Sequence, residues 1–490
     1  MKRILIVLIG LLLQVSTTTA GSVAQRLDSV MTLYHGYNNF SGTVLVAKNG
    51  ELLFSKGYGY ASIEHAVLNS PETKFRVASI TKQFTSMLVM QQVAEGRMSP
   101  DDPIRTYIPE YPSPQGDIVT IHHLMSHTSG FPHYAGIPDF FPLYGRKVFV
   151  HRDFVELFWE LDLLFEPGTE YSYSSFGYYL LGYILEEVTG KPFTQLLQER
   201  ILDPLQMHAS GIVDHRRIVM DAASGYEFLL NGFQMAEFRD LSTALATGDL
   251  YTTPLDMVKW DKALREYQLL EEDLQDQIFT PNISGYGYGW SVGYRPLAEG
   301  DSIRYQQHTG GTNGFTSIAT RLPEDGYYIL VFCNTSPGEI RPIEQDIVSV
   351  LYDRDIEFRP SAAIAAARVL EAGGLEQALL FLQQAAGRGT TGDGQPLDPG
   401  FRRMGQQDYD VTLQDISRIG TDLFQLKRHE EALAFLELGV ELFPESARAL
   451  VLLGDGFHQA GMEELAVYSY ARALTLNPNY REALDRMKRY

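Results

Sequence analysis

Three pairs of residues near the end of this 490-residue chain recur at one interval: Gly420 with Gly454, Ala432 with Ala466, and Pro444 with Pro478, each 34 apart. A period of that length is one helix–turn–helix unit, which cannot bury its apolar face alone and must stack on a neighbour. Composition agrees, since beyond Arg359 the chain is rich in Ala, Leu and Glu and poor in β-branched residues. Residues 359–490 are therefore expected to form an all-α repeat domain. Gly454, Ala466 and Ala473 are placed where two helices cross closely, with Leu450, Phe457 and Tyr470 filling the interface. A weaker unit surrounds Ala378, which lies 54 before Ala432. The excess falls in the Gly/Pro-rich stretch 387–400, which reads as a loop.

The preceding residues obey other rules. Asn49-Gly50 separates two β-rich runs, a hairpin signal, and four further β-rich runs lie between Gly287 and Asn334. A helical pattern starts at Ser79 and stops at Gly96. Strands at both ends with helices inserted between them predict an α+β domain over residues 21–358. Ahead of it, Lys2 and Arg3 precede an apolar run from Ile4 to Leu13 and then Thr18-Thr19-Ala20. Ten apolar residues fall short of the about 20 that span a bilayer, so residues 1–20 read as a secretory signal peptide, and the protein is expected to be exported, to the periplasm or medium. A formal charge of −21 sets nucleic acid aside as a partner, and the lone Cys333 excludes an intramolecular disulfide and any four-cysteine zinc site.

Ser79 and Lys82 sit three residues apart at the start of the helical pattern, and so on one helix face. A serine hydroxyl needs a base before it is a nucleophile, and a lysine serves when burial lowers its pKa. Tyr173 comes two residues before Ser175 in a turn that opens a second helix. His308-Thr309-Gly310-Gly311 lies in the β-rich region, where a strand edge presents backbone N–H groups. His123 and His127 have the spacing of a helical metal pair but no acidic residue between them, so no metal site is assigned. Asp101-Asp102-Pro103 reads as a capped turn, not a catalytic carboxylate pair.

With Ser79-Ile-Thr-Lys82, Tyr173-Ser174-Ser175 and His308-Thr309-Gly310 in that order, the chain resembles the penicillin-recognising serine hydrolases. That group includes class C β-lactamases, D-alanyl-D-alanine carboxypeptidases, D-aminopeptidases and related esterases. The resemblance implies a β-lactamase-like α+β fold with a helical subdomain. It implies Ser79 as the acylated nucleophile, Lys82 as an aid to its deprotonation, and Tyr173 as general base or proton relay. The backbone N–H groups of Ser79 and Gly311 would form the oxyanion hole, and Ser175, His308, Thr309 and Gly310 would contact substrate, with no cofactor. Which of lysine and phenol takes the proton stays open. Two departures bear on substrate. Ser175 stands where the family carries Asn, and His308 where β-lactamases and carboxypeptidases carry Lys, so a permanent cation becomes one charged only near or below about pH 6.5. His308 is similar to the esterase and D-aminopeptidase branches. The C-terminal period resembles the tetratricopeptide repeat. The expectation is an exported serine hydrolase acting on an ester, amide or D-amino-acid peptide. Its alternative is a degenerate hydrolase scaffold whose repeats bind a protein partner.

Overall fold

Asn49 and Gly50 both take positive φ, 52° and 82°, and close a hairpin between β1 (Gly42–Lys48) and β2 (Glu51–Tyr58). The remaining strands of this sheet come some 230 residues later: β3 (Ser291–Pro296), β4 (Ser302–Thr312), β5 (Phe315–Leu322) and β6 (Tyr327–Cys333). They coincide with the β-rich runs expected there. The order is β3-β4-β5-β6-β1-β2, antiparallel throughout, so β6 pairs with β1 (Val44 opposite Val331) and joins the two ends of the domain. These observations come from a computed structural model that describes residues 22–490 apart from 135–136, 138, 231, 298–300, 337, 359, 388–408 and 410. The expected leader, and most of the loop read at 387–400, lie outside the described residues.

Side chains of β1 alternate between two cores. Val44 and Val46 pack with Leu27 and Met31 of α1 (Val23–Asn38), while Leu45 and Ala47 face the larger core that holds α2 (Thr81–Ala94) and α3 (Ser175–Thr189). Ile343 and Ile347 of α4 (Ile340–Leu351) complete the α1 side. Every α2 residue from Thr81 to Gln92 is buried, so α2 runs through the middle of the domain. The result is the expected antiparallel sheet flanked by helices, with a helical region inserted between β2 and β3.

Past α4 the chain passes Phe358, whose ring meets Tyr34 edge-on at 4.9 Å, and Ser361 caps the next helix by accepting the Ile364 N–H. From there to the C-terminus the described structure is all-α: α5 (Ala362–Gly373), α6 (Leu375–Ala385), α7 (Leu413–Gln425), α8 (His429–Leu442), α9 (Ala447–Gln459), α10 (Glu463–Leu476) and the short α11 (Arg481–Met487). Both ends of α9 fall 34 residues after those of α7, and both ends of α10 fall 34 after those of α8. The contacts repeat as well. A Cβ on Gly420 would lie 2.9 Å from Leu436, and one on Gly454 2.5 Å from the Tyr470 ring, so each pair crosses at a glycine. The helical module has its own core, which also takes in Leu230 of the first domain. Docking is reinforced at the end of α1, where Ser361 N–H donates to Asn38 Oδ1 at 2.8 Å and Arg368 reaches the Tyr37 carbonyl.

Candidate active site

Ala78 is a non-glycine residue at φ 46°, a strained left-handed conformation held from several sides. Val77 donates its N–H to Leu250 O, and the Val77 carbonyl accepts from Ser317 Oγ on β5 at 2.9 Å. The strain belongs to a 3₁₀ turn, Ala78–Ile80, that carries Ser79 and leads into α2. The helix thus begins at Thr81, two residues later than the sequence pattern predicts, because the turn is pinned against the sheet. Ser79 is left partly exposed while Lys82, one turn further, is wholly buried.

Lys82 Nζ lies 3.1 Å from Ser79 Oγ, 3.4 Å from Ser175 Oγ and 2.8 Å from the Thr247 carbonyl. Burial pushes the amine down to about 7, against the pull of Asp249 for the charged form. Asp249 is itself buried and pushed up to about 7. A neutral amine has two N–H donors, which satisfy Thr247 O and Ser175 Oγ, and one lone pair, which is free to accept from Ser79. Tyr173 lies across the same group, its ring 5.0 Å from Lys82 Nζ. Burial raises the phenol strongly, while hydrogen bonding to Ser79 and Ser175 works the other way. The tyrosine is therefore a neutral hydroxyl at physiological pH.

The turn before α3 is fixed by two histidines. Ser174 caps α3 by accepting the Gly177 N–H. Its own N–H donates to His127 Nδ1 at 3.2 Å, and that of Ser175 donates to His133 Nδ1 at 3.3 Å. An accepting Nδ1 carries no proton, in keeping with the direction of both shifts: burial pushes His127 well below its ordinary value and His133 to about 4. His123 similarly accepts the Thr120 N–H at the cap of a short helix. Among the described residues no cluster of His, Cys, Asp and Glu is arranged to hold a metal ion.

His308 departs from expectation. Its Nδ1 lies 2.6 Å from the Thr309 carbonyl, which only accepts, so Nδ1 carries the proton. Nε2 then accepts from the Tyr286 hydroxyl at 2.8 Å, whose phenol burial keeps protonated. Burial, then Lys82, push the imidazole down to about 3. The reading of His308 as a cation near pH 6.5 is thereby corrected: buried and bonded at both nitrogens, it is a neutral group throughout the physiological range.

β4 carries His308, Thr309, Gly310 and Gly311 past the end of its neighbour. β3 pairs with β4 only from Ser302 to Gln307, so from His308 to Thr312 that edge is open. Beside that edge the Ser79 turn packs on the face of the sheet at very close range, since a Cβ on Gly310 would lie 2.1 Å from the Val77 carbonyl. Gly311 has nothing within 4 Å of where a side chain would stand. Ser79, Lys82, Tyr173 and Ser175 thus form one contact group, with Thr309–Gly311 along its open side. Thr247 and Asp249 join the site from one loop, and His133 and Tyr286 from two others. Their sequence surroundings carry no spacing signal, apart from the Tyr286-Gly-Tyr-Gly-Trp290 segment.

The sequence matches the family described as Beta-lactamase over residues 25–349. One curated relative, PbpX of Bacillus subtilis (strain 168), named as a penicillin-binding protein, is 30% identical over 254 residues, 52% of this chain and 62% of its own length. The chain spans under two thirds of the curated relatives matched first. Among solved structures, the octameric penicillin-binding protein homologue from Pyrococcus abyssi superposes with a TM-score of 0.61 at 26% identity, covering 71% of this chain and 81% of that one. The D-amino acid amidase from Ochrobactrum anthropi SV3 shares the fold, with a TM-score of 0.58 at 24% identity over 68% of this chain and 99% of its own.

Proposed function

The chain belongs to the beta-lactamase family, and from that premise we propose that it is an exported serine hydrolase that forms an acyl-enzyme on Ser79 from an ester or a D-amino-acid amide or peptide. The contact between Ser79 Oγ and a lysine amine held near neutrality by burial carries this reading. Neutral Lys82 takes the Ser79 proton as Oγ attacks the carbonyl carbon. The oxyanion that forms accepts from the backbone N–H groups of Ser79 and Gly311. As the carbon–oxygen or carbon–nitrogen bond breaks, the proton on Lys82 passes through the Tyr173 hydroxyl to the leaving group. Water repeats the sequence in reverse on the Ser79 ester and releases the acid.

Ser175 weakens the alternative of a degenerate scaffold, because its hydroxyl still reaches Lys82, as the family's longer amide would be expected to do. With His308 neutral, the third motif offers no cation to a substrate carboxylate. Short esters and D-alanyl-p-nitroanilide should therefore be turned over in preference to nitrocefin. The test is fluorophosphonate labelling together with turnover of p-nitrophenyl acetate and D-alanyl-p-nitroanilide by wild type and Ser79→Ala. The variant should lose labelling and fall by at least about 10³-fold in kcat/KM. Equal behaviour of the two proteins would select the scaffold reading, and dominant nitrocefin turnover would reverse the substrate ranking.

A further inference from the structure

The open edge of β4 borders a cleft. Thr309, Gly310 and Gly311 form one side of a cleft of about 930 Å³ whose opposite side is helix α7 of the repeat module. That helix presents Ser417, Arg418, Thr421 and Gln425 to the space, and α4 contributes Arg341 and Gln345. The volume is that of a ligand site, larger than one aminoacyl group requires. Acidic and basic side chains both line it, and hydroxyls and amides make up much of the rest, so neither charge sign nor apolar surface dominates. The wall is held in place: the Arg418 guanidinium stacks 5.7 Å over Phe228 of the first domain, Leu230 two residues further on enters the module's core, and the start of α5 is bonded to Asn38.

We propose that the repeat module is part of the substrate site, forming with the β4 edge a subsite for an extended peptide. This rests on the hydrolase reading above and names its substrate class more closely. A peptide laid along the free edge at 308–312 finds the backbone donors and acceptors that β3 leaves unpaired. Continuing beyond the reacting bond, it enters the cleft, where the side chains of α7 meet its backbone and polar side chains. A cleft of about 930 Å³ takes several residues of peptide, where a single ester or aminoacyl amide would leave most of it empty. The module thus discriminates by length, and its repeats serve catalysis as the far wall of the cleft.

The experiment uses the full chain carrying Ser79→Ala, so that binding is read without turnover. The probe is a fluorescein-labelled hexapeptide with a central D-alanine, read by fluorescence polarisation beside a labelled D-alanyl dipeptide. Thr421→Trp with Gln425→Trp fills the cleft from exposed positions on α7, and Tyr468→Trp on α10 is the control outside it. Thermal melts verify that each variant is folded. The hexapeptide should bind at least tenfold more tightly than the dipeptide, and the α7 pair should remove that advantage while the control stays within twofold. Equal binding of the two peptides, or an α7 pair that behaves as the control, would overturn the proposal. The hydrolase reading fails by a different sign, namely hexapeptide binding that depends on α7 in a protein whose wild type shows no Ser79-dependent turnover.

Discussion

Lys82 can act as a base because it has been taken out of water while its partners remain one carbonyl and two hydroxyls. An ammonium there would find three neutral acceptors but no carboxylate in contact, and among the described residues the carboxylate that favours it is Asp249, acting at longer range against the cost of burial. The pH profile therefore has a fixed sign. Below about 7 the amine is protonated and cannot accept from Ser79, so kcat/KM for p-nitrophenyl acetate should rise with pH through an apparent value near 7, a property of the Lys82–Asp249 set. Asp249→Asn removes the charge that favours the ammonium, so the limb should move to lower pH. A limb that stayed in place or moved up would show that Lys82 is not the titrating group. His308 should contribute no limb in this range, since it stays neutral down to about pH 3.

At the scale of single elements, two adjacent glycines on β4 differ in their need to be glycine. Gly310 lies where the face of the strand meets the nucleophile turn, and an added Cβ would run into the Val77 carbonyl and Ser317 Oγ. Gly311 faces open space. Gly310→Ala should therefore push β4 away from Ser79, lowering stability by about 1–3 kcal/mol as overpacking does and reducing turnover as well. Gly311→Ala should melt as wild type does and keep its turnover, because the added methyl group meets nothing and the backbone N–H is retained. Calorimetry with kcat/KM on both variants checks this, and equal melting temperatures for the two would sink the distinction. The same elements show where sequence is informative. The Ser79–Lys82 spacing was legible because one helical turn fixes it, and the Tyr173 turn because Ser174 caps α3 locally. The 3₁₀ entry to α2 was not legible. It depends on β5 and the Leu250 carbonyl, both more than 150 residues away.

On the scale of the whole molecule the chain holds separate cores, one of them confined to the helical module except for Leu230. Damage inside the module should then be felt there first. Gly454→Val, which places methyl groups in the Tyr470 ring, should lower the melting of the C-terminal helices by a transition resolved from that of the hydrolase domain. Turnover of p-nitrophenyl acetate should persist between the two transitions, and a single shared transition would show that the domains unfold as one. The sequence by itself determined the order of the motifs, the helix pairs with their 34-residue offset, and the antiparallel strands, since turns, caps and periodicity act over a few residues. Only the tertiary structure decided that the Lys82 amine is pushed down to about 7, that His308 is neutral and that α7 borders the β4 edge. Desolvation is set by whichever distant segments exclude water from a group, and a cleft by surfaces that meet only after two domains dock, so neither leaves a spacing in the chain.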